Sequence, residues 1–440
     1  MILIYTDELN PRIEFISKLI FTTILQNEVS FTGKSSEFLK SDLPKLNYSY
    51  EKFGEEFYIK PHRFIHCKAL IQPNIQPVRY NGEKYFFETS NDSDLPFDPL
   101  AASFYLVSRY EEYLDFKKGR HNRFPAEASI LQKYGLLKKP VVNIWARLLG
   151  EKLKERFPEL VIPEPKFHFL PTIDVDNAWA FSNKGLGRTV GALLKGVSKG
   201  KFSDAARRIR VLRGKEKDPF DTYKYLDEVY AGKEKRVQFF FLLGDFTRFD
   251  KNIFWKNKLL QKLIQETARK YSVGVHPSFS SSKKRGRKQL LKEIARMKKI
   301  TGSEVEKSRQ HFLRLKFPRT YRRLINAGIQ EDYTMGYPSR TGFRAGICTP
   351  FYFYDLKREA ATSLKIVPFQ VMDVTLRNYM NLKPEEATAE IESLMNEIKK
   401  VGGTFSAIWH NETVNDDGNW KGYREVFEKM NKLGFELADV

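Results

Sequence analysis

Residues 165–177 read PKFHFLPTIDVDN. An apolar run of strand length ends there in two carboxylates, Asp174 and Asp176. Side chains two apart on a strand point to the same side. From this stretch onward the chain keeps a β/α rhythm. Strand-like runs fall at 167–175, 236–244, 272–275, 304–311, 328–334, 364–375 and 404–409, with helical patterns between them, for example at 259–271, 289–300, 384–401 and 423–433, the last with Gly434 as its cap. Continuous apolar strands alternating with helices predict an α/β fold whose parallel sheet is covered by helices. Seven such units predict a closed or nearly closed barrel, where chemistry sits at the ends of the strands.

Upstream, Pro158, Pro163 and Pro165 mark a linker. Residues 1–157 mix a short strand (2–5) with helical spacing at Ile13, Ile16, Leu19 and Ile20 and an aromatic-rich helical stretch over 99–116. The expected organisation is a smaller α/β accessory domain, 1–157, followed by the barrel domain, 166–440. A length of 440 residues allows two domains, and 41% hydrophobic residues excludes a disordered chain.

Two cysteines, Cys67 and Cys348, exclude a disulfide scaffold and a four-thiolate zinc site. The N-terminal MILIYTDELNP has no basic region before its short apolar run, and no 18 apolar residues run together. A cytoplasmic protein is expected, at most peripheral to the inner face of the membrane. There is no GxxxxGK[ST] phosphate loop, no dinucleotide fingerprint and no GxSxG elbow. The net charge of +21 attracts polyanions in general. Nucleic acid ranks last among them, because no zinc finger, RNP-like strand or basic zipper accompanies the charge.

The polar residues gather at strand ends. Asp174 and Asp176, side by side, repel each other unless a cation or a shared proton intervenes. Either they cap the next helix, or one ligates a metal while the other serves as a base. SVGVHP ends in His276, KSRQHFLR carries His311 and FSAIWHNE carries His410. Two imidazoles with one carboxylate suit a divalent ion, and a third histidine suits a general acid. His62, His66, His121 and His168 read as surface, linker or packing residues. Arg344, between Gly342 and Gly346, either reaches a carboxylate such as Asp174 or staples its own loop. Asp98, Arg109, Glu111 and Glu112 read as a surface network, and the N-terminal domain as a packing or substrate-positioning element.

In this order the motifs resemble the polysaccharide deacetylase (NodB-like) family, and more closely its intracellular branch with an extra N-terminal domain. The segments that carry the resemblance are TIDVD, His276-Pro277-Ser278, RQHFL (309–313), DYTMG (332–336), GFRAGICTPF (342–351) and Trp409-His410-Asn411, spread over 166–440. The resemblance implies a distorted (β/α)7 barrel and metal-dependent removal of an acetyl group from an amino sugar, polysaccharide or glycan precursor. It implies Asp174 as base, oriented by Arg344, His410 as general acid, and Asp176 and His276 as ligands of a divalent ion, zinc in the first instance. A backbone N–H beside Phe343 or Arg344 would hold the oxyanion, and Trp179, Tyr337, Phe351 and Trp420 are the loop aromatics expected to stack on sugar. The family's second motif usually carries another histidine four residues after the first. Here that position is Ser280, so His311 is the expected third ligand. The same departure motivates the alternative of a catalytically impaired carbohydrate-binding barrel.

The charge excess is local. Residues 184–215 hold ten bases against Asp204, and residues 283–299 hold nine against Glu293. In the first segment Leu186, Val190, Leu193, Leu194 and Val197 recur at helical spacing. A basic amphipathic helix reads either as a solvated insertion or as a membrane-surface element near a lipid-linked anionic glycan.

Overall fold

The computed structural model of the chain describes residues 1–200 and 202–439. Lys201, one of the bases counted in 184–215, the side chain of Val197 and Val440 lie outside the described residues. The protein is mixed α/β, with one large central sheet.

The chain opens with a small parallel sheet in which β1 (Ile2–Tyr5) lies between β2 (Val29–Thr32) and β3 (Lys45–Asn47). The helix Pro11–Ser17 starts where the Asn10 side chain accepts the N–H groups of Arg12 and Ile13, with proline at its first position, and it continues as a π-helical stretch, Lys18–Ile24. A hairpin of β4 (Val78–Tyr80) and β5 (Glu83–Tyr85) turns at Asn81–Gly82. The helix expected over 99–116 begins as read, with Asp98 capping it, but ends at Val107. Arg109 there adopts a left-handed conformation and turns inward, and a second long helix follows at Val141–Arg156.

A strand forms within each of the seven runs read from the sequence. They are β6 (Phe167–Val175), β7 (Gln238–Phe241), β8 (Ser272–Val275), β9 (Lys307–Ser308), β10 (Glu331–Asp332), then, after the hairpin strand β11 (Phe351–Asp355), the two separate pieces β12 (Ala360–Ile366) and β13 (Val371–Met372), and last β14 (Gly403–His410). The order across the sheet is β11-β12-β10-β9-β8-β7-β6-β14-β13, parallel except for β11. β12 and β13 belong to one continuous stretch of chain. The Phe369 N–H bonds to the Met335 carbonyl beyond β10, and the next N–H, of Gln370, bonds to Ser406 in β14. The stretch therefore touches both ends of the sheet.

Helices Lys258–Lys270, Arg287–Thr301, Pro384–Val401 and Tyr423–Ala438 pack apolar faces against the sheet. The last runs straight through Gly434, which is not its cap. A Cβ at Gly434 would lie 2.6 Å from the Phe169 ring, so the missing side chain serves the close approach of helix to β6. One hydrophobic cluster extends from Ile2 and Ile4 through Trp145 to Trp409 and Phe435, joining the two parts of the chain. No helix among the described residues is long and apolar enough to cross a membrane.

Candidate active site

β6 and β14 run in register with His410 beside Asp174. Together with the ends of β8 and β9 they bring the five strand-end residues to one face. Asp176, His276 and His311 offer ligand atoms that all lie within 4.8 Å of one another. His276 Nε2 is 3.2 Å from Asp176 Oδ1 and 3.8 Å from Asp174 Oδ2, and His311 Nε2 is 3.1 Å from Asp176 Oδ2.

The outer contacts fix the imidazoles. His276 Nδ1 lies 2.6 Å from the Arg309 carbonyl, an obligate acceptor, so Nδ1 carries the proton and donates it. Nε2 is left to face the carboxylates. Asp176 Oδ1 is buried and accepts no hydrogen bond. A ring nitrogen facing two carboxylates calls for positive charge between them, either a proton on that nitrogen or a bound cation. His311 Nδ1 stands 3.0 Å from Asp250 Oδ1, the carboxylate–histidine arrangement that orients a metal ligand. Asp250 also accepts the Phe279 N–H and the hydroxyls of Thr247 and Ser280. Ser280, at the position where a histidine was absent, thus supports His311 indirectly. Without a metal, burial alone would depress His311, but Asp176 and then Asp250 push it up to about 9. Burial would raise the Asp176 carboxyl, but His311 and His276 hold it well below the usual carboxylate range.

Asp174 is buried and engaged by a guanidinium, although not the expected one. Arg309 Nη1 donates to Asp174 Oδ1 at 2.7 Å and to Thr172 Oγ1 at 2.7 Å. Arg309 therefore ties down both Asp174, through its side chain, and His276, through its carbonyl. Arg344 does not reach Asp174. Its Nε and Nη2 donate to Glu112 at 2.9 and 2.6 Å, and its Nη1 donates to the Gly336 carbonyl at 3.0 Å. The loop faces the N-terminal part of the chain because Gly342, at φ 116°, lies against the Leu137 carbonyl, which accepts the Phe343 N–H. That N–H is already bonded, which removes it as an oxyanion donor. Arg109, Glu111 and Glu112 are buried rather than a surface network, as is Asp98. Arg109 bonds both glutamates and the Arg344 carbonyl. Tyr337 and Phe351 are also buried and present no stacking face, whereas Trp179 and Trp420 are partly exposed.

His410, at the end of β14, directs Nδ1 at Asp373, 2.9 Å away, and Asp373 also accepts the His410 N–H and the Thr413 hydroxyl. Burial works against the imidazolium, but Asp373, followed by Asp176 and Asp174, holds His410 well above the ordinary histidine range. These carboxylates favour the protonated form of His410. Of the remaining histidines, His121 packs its ring 4.8 Å from that of Phe312, next to His311. Arg309, Asp250 and Asp373 were not singled out from the sequence. Arg309 lies two residues before His311, and Asp373 near the end of the 364–375 run, so both carried a positional signal. Asp250 sits in a loop after β7 and carried none.

Residues 2–158 match DUF7033, a family of unknown function. No curated protein matches the chain. Among solved structures, the chain is similar to a putative polysaccharide deacetylase from Mycobacterium smegmatis at 13% identity and a TM-score of 0.39, over 62% of this chain and 86% of the other. It is also similar to a mutant of a CE4 family pseudoenzyme with restored enzymatic activity, at 12% identity and a TM-score of 0.28, over 62% of this chain and 68% of that one.

Proposed function

We propose that the chain is a divalent-metal-dependent hydrolase that removes an acetyl group from an amino sugar or glycan precursor. We read residues 166–440 as a distorted seven-stranded (β/α) barrel and residues 1–157 as an accessory domain packed on it. The bonds of Phe369 and Gln370 to opposite ends of the sheet support a closed ring. The observation that carries the functional reading is the confrontation of Asp176 with two histidines, one of which has its other ring nitrogen committed to a carbonyl.

Asp176, His276 and His311 fit a divalent ion such as zinc, a nitrogen- and oxygen-donor set with positions left for water and substrate. Such an ion supplies a Lewis acid that polarises an acyl oxygen and acidifies water. The protein's own groups do the rest. Asp174, fixed by Arg309, takes a proton from the attacking water. His410, kept charged by Asp373, delivers a proton to the departing amine or hydroxyl. The two groups lie on adjacent strands in register, which supports their acting on the same acyl group. The sugar substrate is inferred from the order of the motifs.

The test is acetate release from an N-acetylated oligosaccharide by purified protein, chelated and then reloaded with zinc or cobalt. Metal-restored release is expected. Absence of both bound metal and acetate release would leave a sugar-binding protein. Metal uptake also has a defined pH dependence. An ion must displace the His311 proton, whose pKa is about 9. Zinc affinity should therefore rise by about tenfold per unit between pH 6 and 8, one proton being released per ion. Calorimetry in buffers of different ionisation enthalpy reads that proton, and a pH-independent affinity would remove His311 from the ligand set.

A further inference from the structure

We propose that the two basic helices Leu186–Ser198 and Phe202–Leu212 dock the protein onto an anionic lipid bilayer. This rests on surface features and not on the hydrolase reading. Helix Leu186–Ser198 places Leu186, Val190 and Leu194 four residues apart, on one face. Phe202 opens the second helix, Phe202–Leu212, and Phe246 and Phe254 project from the loop after β7. All six side chains are between 52% and 86% exposed. Leu186, Val190 and Leu194 lie on the outer face of the first helix, while its inner face ties it to the loop that bears Phe246 and Phe254. Arg188, on the first helix, stacks 4.3 Å from the Phe246 ring and donates to the carbonyls of Lys251 and Asn252. Exposed apolar residues clustered in this way mark an interaction surface.

Charge selects the occupant. Lys195, Lys199, Arg213 and Lys215 are exposed, and none forms an ion pair among the described residues. Ten bases against one acid in 184–215 make two such helix pairs repel, which disfavours a second copy of the chain. A nucleic acid would leave the leucines and phenylalanines in water. An anionic bilayer satisfies both sets of groups, with apolar side chains in the acyl boundary and cations among the phosphates. The base of the helix pair is fixed. Asp218 accepts the N–H groups of Ala180, Phe181 and Ser182, and Arg207 pairs with Glu216 and Asp417. The two helices follow the end of β6 that leads into Asp176.

Co-sedimentation with vesicles tests this. The full chain should pellet with phosphatidylcholine–phosphatidylglycerol vesicles and not with phosphatidylcholine alone. A variant combining Leu186→Ser, Val190→Ser and Leu194→Ser should lose at least about tenfold in vesicle affinity, as should Lys195→Glu with Lys199→Glu, both with unchanged circular dichroism. Acetate release from a soluble oligosaccharide should be the same in all three proteins. No binding to the mixed vesicles, equal binding to both kinds, or full binding by either variant would overturn the proposal. So would a dimer that the serine variant dissociates.

Discussion

An Asp174→Asn variant is expected to release acetate about a thousandfold more slowly than the parent while taking up zinc with parental affinity. The magnitude is that of a general base removed from a transition state. The carboxylate is buried, with Oδ1 bonded to Arg309 and Oδ2 facing the histidine side of the site. Asparagine keeps the shape and can keep an oxygen on Arg309, but it cannot accept a proton from water. It also leaves Arg309, fully buried, without a charge partner, so a lower denaturation midpoint should accompany the kinetic loss. The two effects separate by measurement. Zinc content and the Michaelis constant report an intact site, and the turnover number reports the base. Turnover within tenfold of the parent would end the assignment of Asp174 as base.

The second large effect is on stability. Truncating Glu112 to alanine should cost about 3–5 kcal/mol, read as a shift in the urea midpoint, because buried Arg344 loses its carboxylate partner and buried Arg109 loses one of its two, keeping Glu111. Burial disfavours the Glu112 anion, but Arg344 and Arg109 hold its carboxyl below the ordinary value of 4.5. Its contribution is therefore complete above that pH and disappears as pH falls through the lower native value. Adding Arg344→Met to Glu112→Ala should recover part of the loss, since one stranded charge goes with it. A cost below about 1 kcal/mol would mean that the pair does not hold the two parts of the chain together.

Why some of this was legible and some not follows from the range of each interaction. Asp174, Asp176, His276, His311 and His410 each end or follow a strand-like run, and strand periodicity is written locally. The same rule, followed further, leads to Arg309, which shares a side with His311, and to Asp373. The orientation of Asp174 was instead assigned to Arg344 from the motif pattern. Arg344 pairs with Glu112, far upstream in the chain, and no periodicity encodes a contact of that separation. The early end of the helix at Val107 has the same origin. Arg109 leaves helical geometry and reaches the Arg344 carbonyl, a tertiary demand that overrides the apolar spacing over 99–116. Gly434 reads as a cap only while the Phe169 ring beneath it is unknown.

The position of β14 bears on how the protein is made. β6 is formed from residues 167–175, yet along its whole length one of its neighbours is β14, residues 403–410. While a ribosome is still producing the residues between them, β6 presents an open edge with apolar faces, a template for pairing with other nascent chains. The sheet can close on that side only once residues 403–410 emerge. A chain interrupted before residue 403 would therefore keep Asp174 and Asp176 but lack the strand that covers them, and its fate would be aggregation or proteolysis rather than partial activity.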